Sequence, residues 1–185
     1  MARGGLSTEA VTAAGAALVD REGIEALSMS RLAGDLGVRP PSLYNHVDGL
    51  EPLVRLVALA ALADLAEPCR EALMNRTGGE AVHAFAAAYR AWAMAHPGTY
   101  PLTQVARPGD VEWEAAADRL LQPLLEVLGS PDDPEESIHA VRALRSAVHG
   151  FVALELTGGF GLEVPTDTSF ARMVETVLTG LRTFV

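Results

Sequence analysis

The chain contains no lysine, and all fourteen of its basic residues are arginine. This absence excludes enzymes that depend on a lysine, such as those with a Walker phosphate loop, a pyridoxal-phosphate Schiff base or a kinase fold. Arginine cannot replace the missing amine, because its guanidinium stays protonated. A single cysteine, Cys69, excludes an intrachain disulfide and a multi-cysteine zinc site. We expect no metal, no cofactor and no catalytic residues, because the five histidines also lack metal-binding spacing.

Aromatic residues and long apolar runs are also scarce. Aromatics make up 5% of the residues, so the core must consist mainly of Ala, Leu and Val. No uninterrupted apolar stretch reaches the ~18 residues of a membrane span, and the first residues lack the apolar core of a signal peptide. We therefore expect a protein of the cytoplasm with no membrane partner. The net charge of −10 excludes a uniformly basic coat for nucleic acid, but it allows a local contact surface.

The dominant hydrophobic period is helical, as at Val11, Ala14, Gly15 and Leu18, and no segment alternates long enough to predict a sheet. The pattern predicts an all-α fold of about nine helices, with three short helices followed by a larger bundle. Residues 1–49 contain the three short helices, and residues 50–185 contain the larger bundle. A long fourth helix from about Leu50 would join them.

Residues 30–47 predict a helix, a tight glycine turn and a second short helix. Apolar residues such as Leu32, Leu43 and Val47 are spaced to fix the two helices at a steep angle. Polar residues such as Tyr44 and Asn45 would then point outward. A short helix of this kind suits the ~12 Å major groove of DNA, although the same spacing also occurs in ordinary helical hairpins.

The stretch Leu-Gly-Val-Arg-Pro-Pro-Ser-Leu-Tyr-Asn-His-Val at 36–47 resembles the recognition segment of the TetR family of bacterial repressors. The stretch Gly-Ile-Glu-Ala-Leu-Ser-Met at 23–29 is similar to the family's link between its first two helices. The resemblance implies a homodimeric transcriptional regulator, expected to repress, that binds double-stranded DNA at a palindromic operator. It implies that residues 1–49 form a DNA-binding head and that residues 50–185 form a domain for ligand binding and dimerisation. It also implies positions that contact DNA by hydroxyl groups, base edges or phosphate clamps: Ser30, Arg39, Pro41, Ser42, Tyr44, Asn45 and His46.

The head departs from the family pattern in its charge. Many members carry a lysine in the turn before the fourth helix, where this chain has Asp48-Gly49-Leu50-Glu51. Residues 1–50 contain four arginines and six acidic residues, a net charge of −2. We therefore predict a shallow dependence of DNA affinity on salt. Two alternatives stay open, namely a ligand-binding helical protein whose DNA head has degenerated and, disfavoured by the missing lysine, an α-helical enzyme.

The second half resembles the WHG-type regulatory domain around Val148-His149-Gly150-Phe151 and along residues 88–100, although the expected tryptophan before His149 is absent. A small apolar effector is expected between its helices. The candidate lining residues, each of which could equally be an ordinary core or surface residue, are Trp92, Met94, Tyr100, Trp113, His149 and Phe151. Two wide apolar stripes near the C-terminus predict a homodimer interface. Its candidate residues are Val148, Val152, Phe170, Val174, Val177 and Leu181.

Overall fold

The computed structural model describes residues 6–129 and 133–182. Within these ranges the chain forms eight α-helices and two short 3-10 helices, with no β-strand. The α-helices are α1 (Thr8–Glu22), α2 (Met29–Asp35), α3 (Pro40–Leu43), α4 (Leu50–Leu73), α5 (Gly78–Ala95), α6 (Val111–Leu128), α7 (Pro134–Leu156) and α8 (Thr166–Arg182). The predicted all-α fold is confirmed. About nine helices are predicted, and the difference of one lies at residues 99–106, where the structure has the 3-10 helix Tyr100–Gln104. The other 3-10 helix is Ile24–Ala26.

Helix α1 shows how local sequence sets the ends of an element. The Ser7 side chain accepts a hydrogen bond from the Ala10 N–H at 3.2 Å, which satisfies one of the free donors of the first turn. At the other end, Gly23 has a φ of 85°, and its N–H donates to the Val19 carbonyl at 2.8 Å. The positive φ favours glycine at this helix end.

The chain divides into two compact units. The first comprises residues Met1–Asp64 and His96–Glu114, and the second comprises Leu65–Ala95 and Ala115–Val185. This division cuts through α4 and α6, so it does not test the predicted functional boundary between residues 49 and 50, which stays a prediction.

The first unit has an apolar core made by α1, α2, α3 and the start of α4. Gly15 lies where α1 and α4 approach closely, since a Cβ at Gly15 would be 3.1 Å from Cγ2 of Val57. The core thus fixes the three short helices against α4. Its fully or almost fully buried members are Val11, Leu18, Val19, Leu27, Leu32, Ala33, Leu43, Val47, Leu53 and Val57.

The second unit is built on α5, α7 and α8, which pack against one another. Small and aliphatic residues dominate its interior, as the low aromatic content predicts. No helix in the described ranges combines the length and hydropathy needed to cross a bilayer.

Helix α4 continues past Pro68 to Leu73, although a proline inside a helix favours a kink or an end there. Proline removes one backbone donor. Leu65, Cys69 and Leu73 are nevertheless buried on a common face, and their packing offsets this loss. Burial raises the pKa of the Cys69 thiol to about 12, which makes Cys69 a packing residue.

Candidate DNA-binding interface

The turn between α2 and α3 is closed by two backbone hydrogen bonds. The Gly37 N–H donates to the Gly34 carbonyl at 3.1 Å, and the Val38 N–H donates to the Ala33 carbonyl at 2.9 Å. This pair of bonds is the Schellman arrangement, which requires a left-handed residue at Gly37, where φ is 66°. The turn therefore depends on glycine at position 37, and it directs the chain into α3.

Helix α3 is short, but its orientation is well determined. Pro40 and Pro41 lie in its first turn, where a missing N–H costs no intrahelical bond. Leu43 is fully buried and Val47 is 4% exposed, and the Val47 N–H donates to the Leu43 carbonyl at 3.0 Å. Because Leu43 and Val47 anchor one face in the core, the opposite face of the segment points away from the protein.

The predicted DNA-contacting residues lie on the outside of the first unit. Tyr44, which directly follows α3, is 54% exposed. Their roles as DNA contacts stay predictions. The exposed members are Ser30, Arg39, Pro41, Tyr44 and Asn45, and the half-buried ones are Ser42 and His46.

Two arginines of the head are already bound to acidic side chains. Arg31 lies 2.8 Å from a Glu22 carboxylate oxygen and 3.2 Å from an Asp35 oxygen, and Arg21 contacts the same two acids at 3.0 and 3.4 Å. This network is partly exposed, so it adds little to stability. It does neutralise both cations. By contrast, Arg39 makes no ion pair with any residue that the structure describes, so its charge is available.

Asp20 in α1 holds the segment that follows α5. Its carboxylate accepts hydrogen bonds from the Thr99 N–H at 2.7 Å and the Gly98 N–H at 3.1 Å, and it lies 2.9 Å from Nδ1 of His96. The backbone of this segment also passes very close to α1, because a Cβ at Gly98 would lie 2.0 Å from the Val19 carbonyl oxygen. We name the contact of Asp20 with residues 96–99 the Asp20 clamp.

Arg55 in α4 makes a second connection within the first unit. Its guanidinium binds both oxygens of Asp110 at 2.6 Å and reaches Glu112 at 2.7 Å. The hydrogen bonds from Arg55 lower the pKa of Asp110. Asp110 also accepts from the Trp113 N–H at 3.2 Å, which caps the start of α6. Arg55 thereby ties the first turns of α4 to the first turn of α6.

The predicted effector residues are divided between the two units. Tyr100 and Trp113 are buried in the first unit. Trp92 and Phe151 are buried in the second unit, where Met94 is 39% exposed and His149 is half-buried. Burial is the main cause that lowers the pKa of His149, and the nearby positive charge of Arg145 lowers it further. Their role in effector binding stays a prediction.

Sequence reasoning missed a cluster of acidic and aromatic side chains around Arg90 in the second unit. Arg90 of α5 binds the Glu155 carboxylate of α7 through two nitrogens, at 2.5 and 2.7 Å, and contacts Asp167 at 2.8 Å. Its guanidinium also lies 4.9 Å from the ring centre of Phe170 and 5.7 Å from that of Phe151. The hydrogen bonds from Arg90 lower the pKa of Glu155. No local sequence pattern indicates this cluster, because Arg90 and Glu155 are 65 positions apart.

The predicted dimer residues are mostly buried inside one chain. Val148, Val152, Phe170 and Val174 are each 5% exposed or less, so packing within the second unit already accounts for their apolar stripes. Such side chains offer little area to another subunit. Val177 and Leu181 are half-buried and retain some surface. The interface itself stays a prediction.

Comparison with known proteins agrees with this architecture. Residues 82–177 match the family described as the tetracyclin repressor-like C-terminal domain. An HTH-type transcriptional regulator of Mycobacterium tuberculosis, Rv0681, is 37% identical over 95% of this chain and 82% of its own length. YobS, an HTH-type transcriptional regulator of Bacillus subtilis, is 32% identical over 96% of this chain and 93% of its own length.

A solved structure shares the fold across almost the whole chain. It is a variant of TetR from Acinetobacter baumannii AYE in complex with minocycline, with a TM-score of 0.73 and 22% identity, covering 97% of this chain and 98% of that one. The helix-turn-helix geometry, the matched C-terminal domain and the two regulator sequences agree with one another. This chain belongs to the TetR family of helix-turn-helix transcriptional regulators.

Proposed function

We propose that this regulator is a cytoplasmic repressor that binds a palindromic operator as a homodimer and releases it when a small apolar effector binds in its C-terminal half. The observation that carries the proposal is the anchoring of α3 together with the turn that follows it at 44–47. Leu43 and Val47 are buried, while Tyr44 and Asn45 between them are exposed. A segment held on one side presents its other side in a defined orientation, which reading base edges requires.

DNA recognition would combine base reading with phosphate positioning. Asn45 is the candidate for a bidentate contact with adenine, and Pro41 for contact with a thymine methyl group. The hydroxyls of Ser30 and Tyr44 would bind phosphates. Arg39 would provide a charged contact, since it is not engaged by an acid in the described part of the chain.

Dimerisation would use the side of α7 that its own unit leaves open. Ala143, Ser146 and Gly150 are exposed and recur at helical spacing along α7. Small side chains of this kind allow a helix of a second subunit to approach closely. Val177 and Leu181 of α8 would extend the contact. A dimer explains a palindromic site, because two recognition helices must reach grooves ~34–36 Å apart.

Effector release would act through the Asp20 clamp and Arg55. Helix α5 ends at Ala95, directly before the clamped segment, and α6 begins at Val111, next to the Asp110 that Arg55 binds. A ligand that shifts α5 or α6 would therefore also displace α1 and α4 of the head. The effect requires different ligand affinities of the DNA-bound and free states. The minocycline complex of the TetR variant supports an effector in a protein of this fold.

The test is a binding titration against the DNA upstream of the protein's own coding sequence. We expect a salt slope shallower than about −6, because few phosphates are neutralised by cations. Asn45→Ala should relax the preference at one base pair by about 1–3 kcal/mol. Glu25→Ala, an exposed change in the same unit, is the matched control. If Asn45→Ala weakens all sequences equally, Asn45 does not read a base.

The second candidate is a ligand-binding protein with a degenerate head. The engagement of Arg21 and Arg31 by Glu22 and Asp35 favours it, because it leaves the head with little free positive charge. Gel shifts at low salt separate the two functions. The repressor proposal requires a specific complex there, whereas the degenerate head predicts none at any salt concentration.

A further inference from the structure

The second unit has an apolar groove between α6 and α7 that the proposed function does not use. The groove has a volume of ≈ 240 Å³. Its walls are mostly aliphatic, with two guanidinium groups beside them. The lining residues are Leu121, Leu125, Ile138, Val141, Arg142 and Arg145. None of the predicted effector residues lines this groove.

Arg142 and Arg145 differ from three other arginines of the second unit, whereas the exposed Arg119 and Arg172 resemble them in forming no ion pair with a described residue. Arg70, Arg76 and Arg90 each bind an acidic side chain. Arg142 and Arg145 are exposed, and neither forms an ion pair with any residue in the described ranges. This is notable in a chain with 24 acidic and 14 basic residues. Two uncompensated positive charges thus lie against an apolar surface.

Arg145 lies close enough to His149 to affect its titration. Burial lowers the pKa of the His149 imidazole, and the positive charge of Arg145 lowers it further. An anion at Arg145 would accept hydrogen bonds from its guanidinium.

We propose that the groove binds a single-chain aliphatic carboxylate, with its chain on Leu121, Leu125 and Ile138 and its carboxylate on Arg142 and Arg145. Guanidinium groups bind carboxylates through paired hydrogen bonds. An apolar cavity of about 150 Å³ holds benzene, so the 240 Å³ of this open groove corresponds to the volume of roughly ten carbons, which guides the choice of probe.

The charge of the groove argues against its use as a contact between two copies of the chain. In a two-fold pairing through this groove, the same surface of each copy would face the other. Arg142 and Arg145 of both copies would then approach one another, and like charges in a desolvated contact are unfavourable. A carboxylate occupant has the opposite, complementary charge.

Calorimetric titration of the full chain with decanoate tests the proposal, with decanol and decyltrimethylammonium as probes of the same chain length. We expect decanoate to bind at least about tenfold more tightly than decanol, and the cation not to bind. Arg145→Glu should abolish decanoate binding. Arg172→Glu, an exposed charge reversal on α8 outside the groove, should leave it unchanged.

Ile138→Glu places a negative charge in the apolar part of the groove and should also abolish binding. Ile138 is 44% exposed, so this variant is expected to fold, and circular dichroism checks that it does. Equal binding of decanoate and decanol, equal loss in Arg145→Glu and Arg172→Glu, or no decanoate binding would each overturn the proposal. A change of solution mass in Ile138→Glu, without decanoate binding by the unmodified chain, would assign the groove to a subunit contact. The titration involves no DNA, so its result does not depend on repressor function.

Discussion

The Asp20 clamp makes the sharpest prediction about stability. Asp20→Ala removes the acceptor for the Gly98 and Thr99 N–H groups and for the His96 ring. Thr99 is 1% exposed, so its N–H has little access to water. A buried donor left unpaired costs about 1–3 kcal/mol. Since the Asp20 side chain is itself 20% exposed, water can replace part of the loss. For the two N–H groups the full loss would be about 2–6 kcal/mol, so with partial replacement by water we expect the free energy of unfolding to fall by about 2–4 kcal/mol.

Urea unfolding followed by circular dichroism measures this loss. The midpoint should decrease while the slope stays constant, because the surface exposed on unfolding does not change. Glu25→Ala is the control, as Glu25 is exposed and should change the free energy of unfolding by less than about 0.5 kcal/mol. Asp20→Asn should fall between the two, because the Gly98 and Thr99 N–H groups both bond to Oδ1, which the amide retains, while the charged oxygen beside His96 is lost. If Asp20→Ala matches the control, these hydrogen bonds do not hold residues 96–99 in place.

Three further predictions concern packing and charge. Gly98→Ala places a Cβ 2.0 Å from the Val19 carbonyl oxygen, so we expect a large drop in melting temperature. The control is Gly34→Ala, whose Cβ would have nothing within 4 Å and should change the melting temperature little or raise it. Equal effects of the two variants would contradict the close approach at Gly98. Glu155→Gln should lower the free energy of unfolding at pH 7 by about 3 kcal/mol, because Arg90 is left without its main partner. Since the folded pKa of Glu155 lies below its ordinary value of 4.5, its stabilisation is present above the unfolded pKa and is lost as pH falls through the folded pKa. The difference between the variant and the unmodified chain in urea unfolding should therefore shrink as the pH falls below 4.5, and a constant difference would refute the ion pair. Cys69 should react with a thiol reagent at pH 8 far more slowly in the folded chain than in urea, because burial raises its pKa to about 12, and similar rates would show that it is accessible.

The head could be predicted from sequence because its elements depend on nearby residues. The cap at Ser7, the end of α1 at Gly23 and the turn at Gly37 each involve hydrogen bonds spanning three to five positions. The outward face of α3 follows in the same way from the spacing of Leu43 and Val47. These interactions were visible in the order of the residues, and the resemblance to the TetR family rested on the same stretch.

The prediction was less accurate where packing competes with local preference. Proline at position 68 favours a kink or an end of α4, but the buried face that includes Leu65 and Leu73 keeps the helix continuous to Leu73. The apolar stripes of α7 and α8 predicted a contact between subunits, which stays a prediction, and Val148 and Val174 of these stripes are buried within one unit. An apolar stripe indicates that a helix face will be buried, but it does not indicate which surface buries it.

By itself, the order of residues determined the all-helical class, the ends of most helices and the exposed face of the recognition helix, since these depend on contacts a few positions apart. Only the tertiary structure decided the partners of Asp20, Arg55 and Arg90, which lie 79, 55 and 65 positions from Thr99, Asp110 and Glu155. The physical reason is that a charged side chain on a helix surface has many possible partners in the sequence. Which of them lies within hydrogen-bonding distance is set by how the apolar faces pack, and that packing is a property of the whole unit.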